Sequence, residues 1–193
     1  MNVAYYYDRK ADEICPEYRA MAAISILSVK KHMPQVRIIH LADEKVAPLY
    51  GVHEVMRWGS KNRPMSHSEV LGDSLFMDVD TVVRRDVSHV FLHDFDVAVV
   101  DRKDEAKHPL RPYNSGVTFS RSKAFWEAVD RAFALKDMET AFNSVATSGR
   151  FKVKVLPNSY NFVPDDGAEE GDNAIVHYKG IKKPLMLERH IAV

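Results

Sequence analysis

Residues 2–43 constrain the fold more than any other part of the chain. The run NVAYYY (2–7) is β-branched and aromatic and ends at Asp8-Arg9-Lys10, the pattern of a strand that runs into a loop. In EYRAMAAISILSVKKHM (17–33), Ala22, Ile26, Val29 and Met33 form one apolar row, widened by Ala23 and Leu27, at helical spacing. Pro16 suits the first turn of that helix. Lys30, Lys31 and His32 suit its carbonyl-rich end, and Pro34 stops it. VRIIHLAD (36–43) reads as a second strand. Strand, helix and strand at this spacing specify a parallel βαβ unit with a right-handed crossover.

The rest of the chain continues the alternation. HEVMRW (53–58) and SLFMDVD (74–80) predict a third and a fourth strand, with room for only a short helix in 59–73. DVSHVF (86–91) predicts a helical turn, DVAVVD (96–101) a strand, and 102–115, charged and holding Pro109 and Pro112, a loop. GVTFSR (116–121) is a strand, and Ser122 caps a helix over 123–135. A shorter helix over 138–146, an alternating strand over 151–157, an acidic loop over 165–173 and a last strand over 174–180 complete the chain, which runs out in a basic tail. No internal repeat breaks the pattern. The fold class is therefore α/β, one domain over 1–193, with a mixed, mostly parallel sheet flanked by helices.

Composition narrows the function. The 193 residues are 46% hydrophobic and 28% charged, a soluble globular balance. Lys+Arg and Asp+Glu both number 27, so no basic surplus points to nucleic acid. Cys15 is the single cysteine, which rules out an internal disulfide. The N-terminus lacks the basic and apolar regions of a secretion signal. No apolar run reaches the ~20 residues of a membrane helix. A cytoplasmic location is expected.

The chemistry is at the predicted strand ends, where α/β sheets bind ligands. Asp8, the Asp78/Asp80 pair and His177 all fall there. Residues i and i+2 of a strand share a face, so Asp78 and Asp80 aim two carboxylates into one volume. They either cap the following turn or hold a divalent cation that relieves their repulsion. The apolar lead-in Leu75-Phe76-Met77 favours the cation, because carboxylates near a core need a partner. His177 ends an apolar strand and is followed by Gly180, Lys182 and Lys183. A glycine lets backbone approach a ligand, and lysines supply charge for phosphate. A carboxylate and imidazole set suits Mn²⁺ better than Mg²⁺.

LFMDVDTVV (75–83) together with VHYKGIKKP (176–184) resembles the metal-dependent nucleotide-sugar glycosyltransferases of the GT-A fold, and most closely family 8, the glycogenin and bacterial galactosyltransferase group. YNSGVTF (113–119) resembles that family's N-[AS]-G strand start, and VAYYYD with RIIHLAD its nucleotide-binding opening. The resemblance implies a nucleotide- and metal-binding half over 1–101 and a sugar and acceptor half over 102–193. It implies Asp78, Asp80 and His177 as metal ligands, with Asp80 also approaching the ribose or the diphosphate. Tyr7, Asp8, Asp78 and Val79 would hold the nucleotide, Gly180 and Lys183 the diphosphate, and Asn114 and Ser115 the sugar. The chain departs from the family pattern at Tyr7, where a Thr is usual, at Glu139 in place of a Gln, and at Leu185 in place of a Trp. Arg63 or Lys61 stands in for a phosphate-binding Arg.

The implied activity is transfer of a sugar from a UDP-sugar to an acceptor hydroxyl with retention. Glu139 is the candidate nucleophile for a double displacement, and front-side attack is the alternative. Two other readings compete. Asp78-Val79-Asp80-Thr81-Val82-Val83 also satisfies the first motif of a haloacid dehalogenase-type phosphatase, with Asp78 as nucleophile and Asp80 as general acid. That reading leaves HYKGIKKP without a role. The third is a degenerate nucleotide-sugar binding protein that kept only the fold.

Overall fold

The computed structural model describes residues 1–8, 11, 13, 17–58, 65–102, 109–133, 136–164 and 171–190. Pro16, Lys61 and Arg63, the end of the 123–135 helix, and the middle of the predicted loops 102–115 and 165–173 lie outside them.

Seven strands form the central sheet in the order β3-β2-β1-β4-β7-β6-β8. They are β1 (Asn2–Tyr6), β2 (Arg37–Asp43), β3 (Glu54–Trp58), β4 (Ser74–Met77), β6 (Val97–Asp101), β7 (Tyr113–Ser120) and β8 (Val153–Leu156). β1, β2, β3 and β4 are mutually parallel, and β6 and β8 share their direction. Only β7 runs against its neighbours β4 and β6. The sheet is mixed and mostly parallel, as the alternation of elements predicts. β1 sits between β2 and β4, so the strand order reverses at β1/β4, and a crevice opens beyond the carboxyl ends of these two strands.

Alternate side chains go to opposite faces. Val3, Tyr5, Leu75 and Met77 pack on one side with Ala22, Ile26 and Val29 of α1 (Tyr18–His32). Ala4 and Phe76 pack on the other with α3 (Lys123–Phe133) and α4 (Met138–Ala146), in a cluster that holds Phe125, Trp126 and Phe142. A five-residue helix, α2 (Met65–Glu69), precedes β4.

The structure differs from the predicted elements around the site, where the last strand also shortens from 174–180 to Ile175–His177. β4 ends at Met77, so Asp78 and Asp80 stand in the turn beyond it. That turn is fixed by the Thr81 hydroxyl, which donates to the Asp78 carbonyl at 2.7 Å. A further strand follows, β5 (Thr81–Val83), paired antiparallel with β9 (Ile175–His177) outside the main sheet. β7 begins at Tyr113 instead of 116, because Tyr113 and Asn114 pair with Asp101 and Val100. The expected basic tail is α5 (Lys183–His190), which buries Met186 against Met21, Val82, Val176 and Tyr178. Leu185 and Leu187 pack partly buried beside Met186.

Candidate functional site

The three predicted metal ligands converge. Thr81 sits opposite His177 in the β5–β9 ribbon, and the Tyr178 N–H donates to the Asp80 carbonyl at 2.8 Å, so the ribbon lays His177 beside the aspartates. His177 Nε2 is 3.2 Å from Asp80 Oδ1 and 3.7 Å from Asp78 Oδ2. One ligand atom from each residue falls within 4.8 Å of the others. Among the described residues no other group of His, Cys, Asp and Glu converges in this way.

The donor set fits a cation. His177 Nδ1 is 2.9 Å from Asn161 Oδ1, so an Nδ1–H would donate there and leave Nε2 facing the two carboxylates, with a proton or a cation between them. Three electron-rich atoms then face one another, and a metal ion or a proton is needed between them. Lys183 closes the other side, with its Nζ 3.3 Å from Asp80 Oδ2 and 4.3 Å from the Tyr18 ring centre, and in contact with the Tyr18 hydroxyl. Burial opposes ionisation of Asp80, but His177 and Lys183 outweigh it and hold its carboxyl below the usual range. The protein packed around Asp78, and then the Asp80 charge, push its carboxyl up, although its side chain is 61% exposed and reaches solvent. The pair thus splits into a firmly ionised buried carboxylate and a solvated one that holds its proton more readily. Burial opposes the Lys183 charge, but Tyr18 and Asp80 prevail and raise its pKa.

The sugar-site motif is built in by the reversed strand. Because β7 runs against β4, its first residues lie beside the turn that follows β4. The Gly116 carbonyl accepts from the Asp78 N–H at 2.8 Å, and Asn114 Oδ1 accepts from the Gly116 N–H at 3.1 Å. Any Cβ at Gly116 would lie 2.3 Å from His177 Cε1 and 2.6 Å from Asp78 Oδ2. This glycine is therefore a component of the site, and the N-S-G spelling was its only signal in the sequence. Asn114 is buried, while Ser115 lines a cavity beside Asp78.

The remaining expected residues are placed less uniformly. The Tyr7 ring is buried, so β1 offers the crevice its backbone at that position. Fully buried His40 fixes it there, with Nε2 2.9 Å from the Tyr7 carbonyl, while its Nδ1 accepts from the Leu49 N–H. Asp8 accepts from the Tyr6 hydroxyl at 2.9 Å and from the Ala11 N–H. Val79 is also buried. Gly180 opens an exposed turn at φ +62, a left-handed conformation suited to glycine. Glu139, in the first turn of α4, pairs with Arg102 and with Arg111, whose Nη1 is 3.0 Å from Glu139 Oε2. Arg111 also reaches Asp137 and Thr140. Neither arginine carried a signal in the sequence, and neither did Asn161.

The crevice has a second wall. A cavity of about 180 Å³ opens beside Asp78 and Ser115 and is otherwise mostly apolar, between Tyr6, Phe76, Trp126, Met138 and Phe142. The His67 ring stacks on Trp126 with centres 4.5 Å apart and lies parallel to Tyr6.

Similarity to solved structures is broad. The chain aligns over its full length with 96% of the galactosyltransferase LgtC crystallised with donor and acceptor sugar analogues, at TM-score 0.65 and 13% identity. It aligns over 95% with 55% of the glycosyltransferase GlyE of Streptococcus pneumoniae, at TM-score 0.70 and 16% identity. Mouse xyloside xylosyltransferase 1 matches over 91% of this chain and 96% of its own, at TM-score 0.57 and 10% identity. No family model matches the sequence, and no curated protein does. The fold of this chain is the GT-A fold of these enzymes, which the sequence motifs predict.

Proposed function

We propose that the chain is a metal-dependent glycosyltransferase that moves a sugar from a UDP-sugar to an acceptor hydroxyl. One observation carries this reading. Asp78, Asp80 and His177 converge at the crevice of a GT-A fold, with the Lys183 ammonium on the same carboxylate.

Asp78, Asp80 and His177 would hold the cation, Mn²⁺ or Mg²⁺, which when bound offsets the diphosphate charge and stabilises the departing nucleotide. The Asn161 oxygen fixes the His177 ring with Nε2 inward. Lys183, held at Asp80, would meet a diphosphate oxygen, and Gly180 would let backbone approach it. Its charge is fixed beside the leaving group before transfer begins, so little reorganisation is needed. Tyr6, Asp8 and the Tyr7 and Val79 backbone face the nucleoside, and Asn114 and Ser115 the sugar.

Retention by double displacement would require a carboxylate nucleophile. Glu139 is held by Arg102 and Arg111, and a carboxylate shared by two guanidiniums is a weak nucleophile. We therefore assign retention by front-side attack, with Glu139 orienting the pocket's entrance through α4. The phosphatase reading would leave His177 idle, 3.2 Å from its acid, Asp80. No helix among the described residues is long and apolar enough to cross a membrane.

A thermal-shift series with UDP, with and without Mn²⁺, tests the reading. Ligands of the folded state alone raise its melting temperature. Stabilisation that needs both UDP and metal, and that Asp80→Asn abolishes, is expected. Absence of any nucleotide response, with hydrolysis of a generic phosphate ester in Mg²⁺, would replace the transferase with the phosphatase. Binding without transfer or donor hydrolysis would mark a degenerate binding protein.

A further inference from the structure

A chain of hydroxyls runs through the core to the turn that carries the aspartates. The Tyr5 hydroxyl, on β1, is 2.9 Å from Ser25 Oγ on α1. Ser25 Oγ is 3.3 Å from Thr81 Oγ1 on β5, and Thr81 Oγ1 donates to the Asp78 carbonyl at 2.7 Å. Tyr5, Ser25 and Thr81 are all fully buried, and Tyr5 belongs to the apolar cluster that holds Ile26, Val29 and Val83.

The protons of this chain run in one direction only. A carbonyl cannot donate, so the single Thr81 hydroxyl proton goes to Asp78. Ser25 must then donate to Thr81, and Tyr5 to Ser25. Burial pushes the Tyr5 hydroxyl pKa up, so the first donor keeps its proton. Every donor points the same way, and each bond polarises the next.

Three hydroxyls beside an apolar cluster carry a desolvation cost that alkyl groups of the same shape would not. Asp78 supplies their use. Its side chain is 61% exposed, its carboxylate takes no hydrogen bond among the described residues, and His177 Nε2 is 3.7 Å away. The place of that carboxylate is therefore set by the Asp78 backbone. The backbone is held at both ends: its N–H donates to the Gly116 carbonyl at 2.8 Å, and its carbonyl takes the last bond of the chain. Asp80 differs, because His177 and Lys183 hold its carboxylate directly. The hydroxyl chain thus ends on the metal ligand that lacks support of its own side chain.

We infer that Tyr5, Ser25 and Thr81 are positioning residues, a relay in series that sets the Asp78 carboxylate for the cation. Their role rests on the metal-dependent reading above and carries that site into the core, to β1 and α1.

Titration of the purified chain with Mn²⁺ in the presence of UDP, followed by electron paramagnetic resonance of the free ion, tests it, with urea unfolding of each variant beside it. Thr81→Val, which keeps the shape and removes the hydroxyl, is expected to weaken Mn²⁺ binding about 10–100-fold, the range for lost support behind a metal ligand. Thr81→Ser is expected to restore most of it. Tyr5→Phe removes one oxygen at the far end and is expected to weaken Mn²⁺ binding about two- to tenfold, the effect of one lost hydrogen bond. Added to Thr81→Val, it should change nothing further, because the link it feeds is already cut. Losses of stability with unchanged Mn²⁺ affinity would show that the hydroxyls only pack, which overturns the relay and leaves the metal site standing. Additive losses of affinity from Tyr5→Phe and Thr81→Val overturn the relay as well. If Thr81→Val fails to fold, Tyr5→Phe and Ser25→Ala decide: similar losses of affinity that do not grow on combination support the relay, and unchanged affinity overturns it. No Mn²⁺ binding by the wild type removes the metal-dependent reading and this one with it.

Discussion

The two sides of Asp78 are built on different principles. On one side, the polar and charged groups come from separate stretches of chain: Asp78 and Asp80 from a turn, Asn161 and His177 around a three-residue ribbon strand, Lys183 from the first turn of α5. On the other, Phe76, Trp126 and Phe142 belong to a cluster shared by the sheet and its helices. The first side can be altered with the fold intact, because it hangs on the sheet. The second cannot, because its walls are the core. Chemistry is thus delegated to the replaceable side, and the shape of what is bound to the fixed one.

The contrast can be attacked most directly from the fixed side. Phe142, 1% exposed and in edge-on contact with Phe125, is expected to lose about 3–5 kcal/mol of stability on truncation to Ala, read by urea unfolding. Asp80→Asn should instead cost less stability than that, the loss of its ion pair with Lys183 and its contact with His177. It should weaken Mn²⁺-dependent UDP binding by more than about 100-fold in calorimetry. Gly116→Ala lies on the boundary. A Cβ 2.6 Å from Asp78 Oδ2 forces the turn or His177 to move, so the metal response disappears for a folding cost of about 1–3 kcal/mol. Asn161→Ala frees the His177 ring to rotate, and should cost about 10–100-fold in metal affinity while circular dichroism is unchanged. A change in stability without a change in metal affinity would show that Asn161 only packs.

The smallest effect concerns Asp130, on the α3 helix that also carries Trp126. Burial, and then the Glu127 charge, push its carboxyl up to about 7, and Oδ1 is buried without a hydrogen-bond partner. Its folded-state pKa lies above its unfolded value. The stability it contributes is thus fully present below the unfolded value near 3.8 and is lost as pH rises to about 7. Asp130→Asn should therefore gain on the order of 1 kcal/mol over the wild type at pH 8, after allowance for the water that reaches the side chain, and nothing at pH 4. Thermal unfolding across that range reads the difference.

Legibility in the sequence follows the same division. Periodicity located β1, β2, β4 and the long helices, because burial on a sheet or helix face leaves a repeat in the chain. Asp78, Asp80, His177 and Lys183 were legible because each sits in a motif with polar residues out of place beside an apolar run. Three-residue strands leave no repeat, so β5 and β9 did not announce their pairing, and the Asp pair was placed on a strand instead of in the turn between two. Contacts such as Asn161 to His177, Arg102 and Arg111 to Glu139, and His40 to the Tyr7 carbonyl depend on side chains meeting across the fold. Nothing in their local sequence marks them. The aromatic cavity was hidden for a related reason. Its apolar lining residues Tyr6, Phe76, Trp126, Met138 and Phe142 fall in predicted strands and helices, and only three-dimensional packing leaves a gap among them.

The ribbon that joins β5 to β9 makes the site a clasp. Three residue pairs, the small cluster around Tyr178 and Met186, and the packing of Val83 and Ile175 into the main core hold it shut. Opening of the clasp is then its own equilibrium, at lower cost than global unfolding. Amides of β9 should exchange with solvent well before those of β1 and β2, and a bound nucleotide with its cation should slow them selectively. On this view the affinity of the site includes the free energy of closing its own last segment. Under the proposed transferase activity, nucleotide release is expected to follow opening of residues 174–190, which amide exchange of β9 with and without UDP and Mn²⁺ measures.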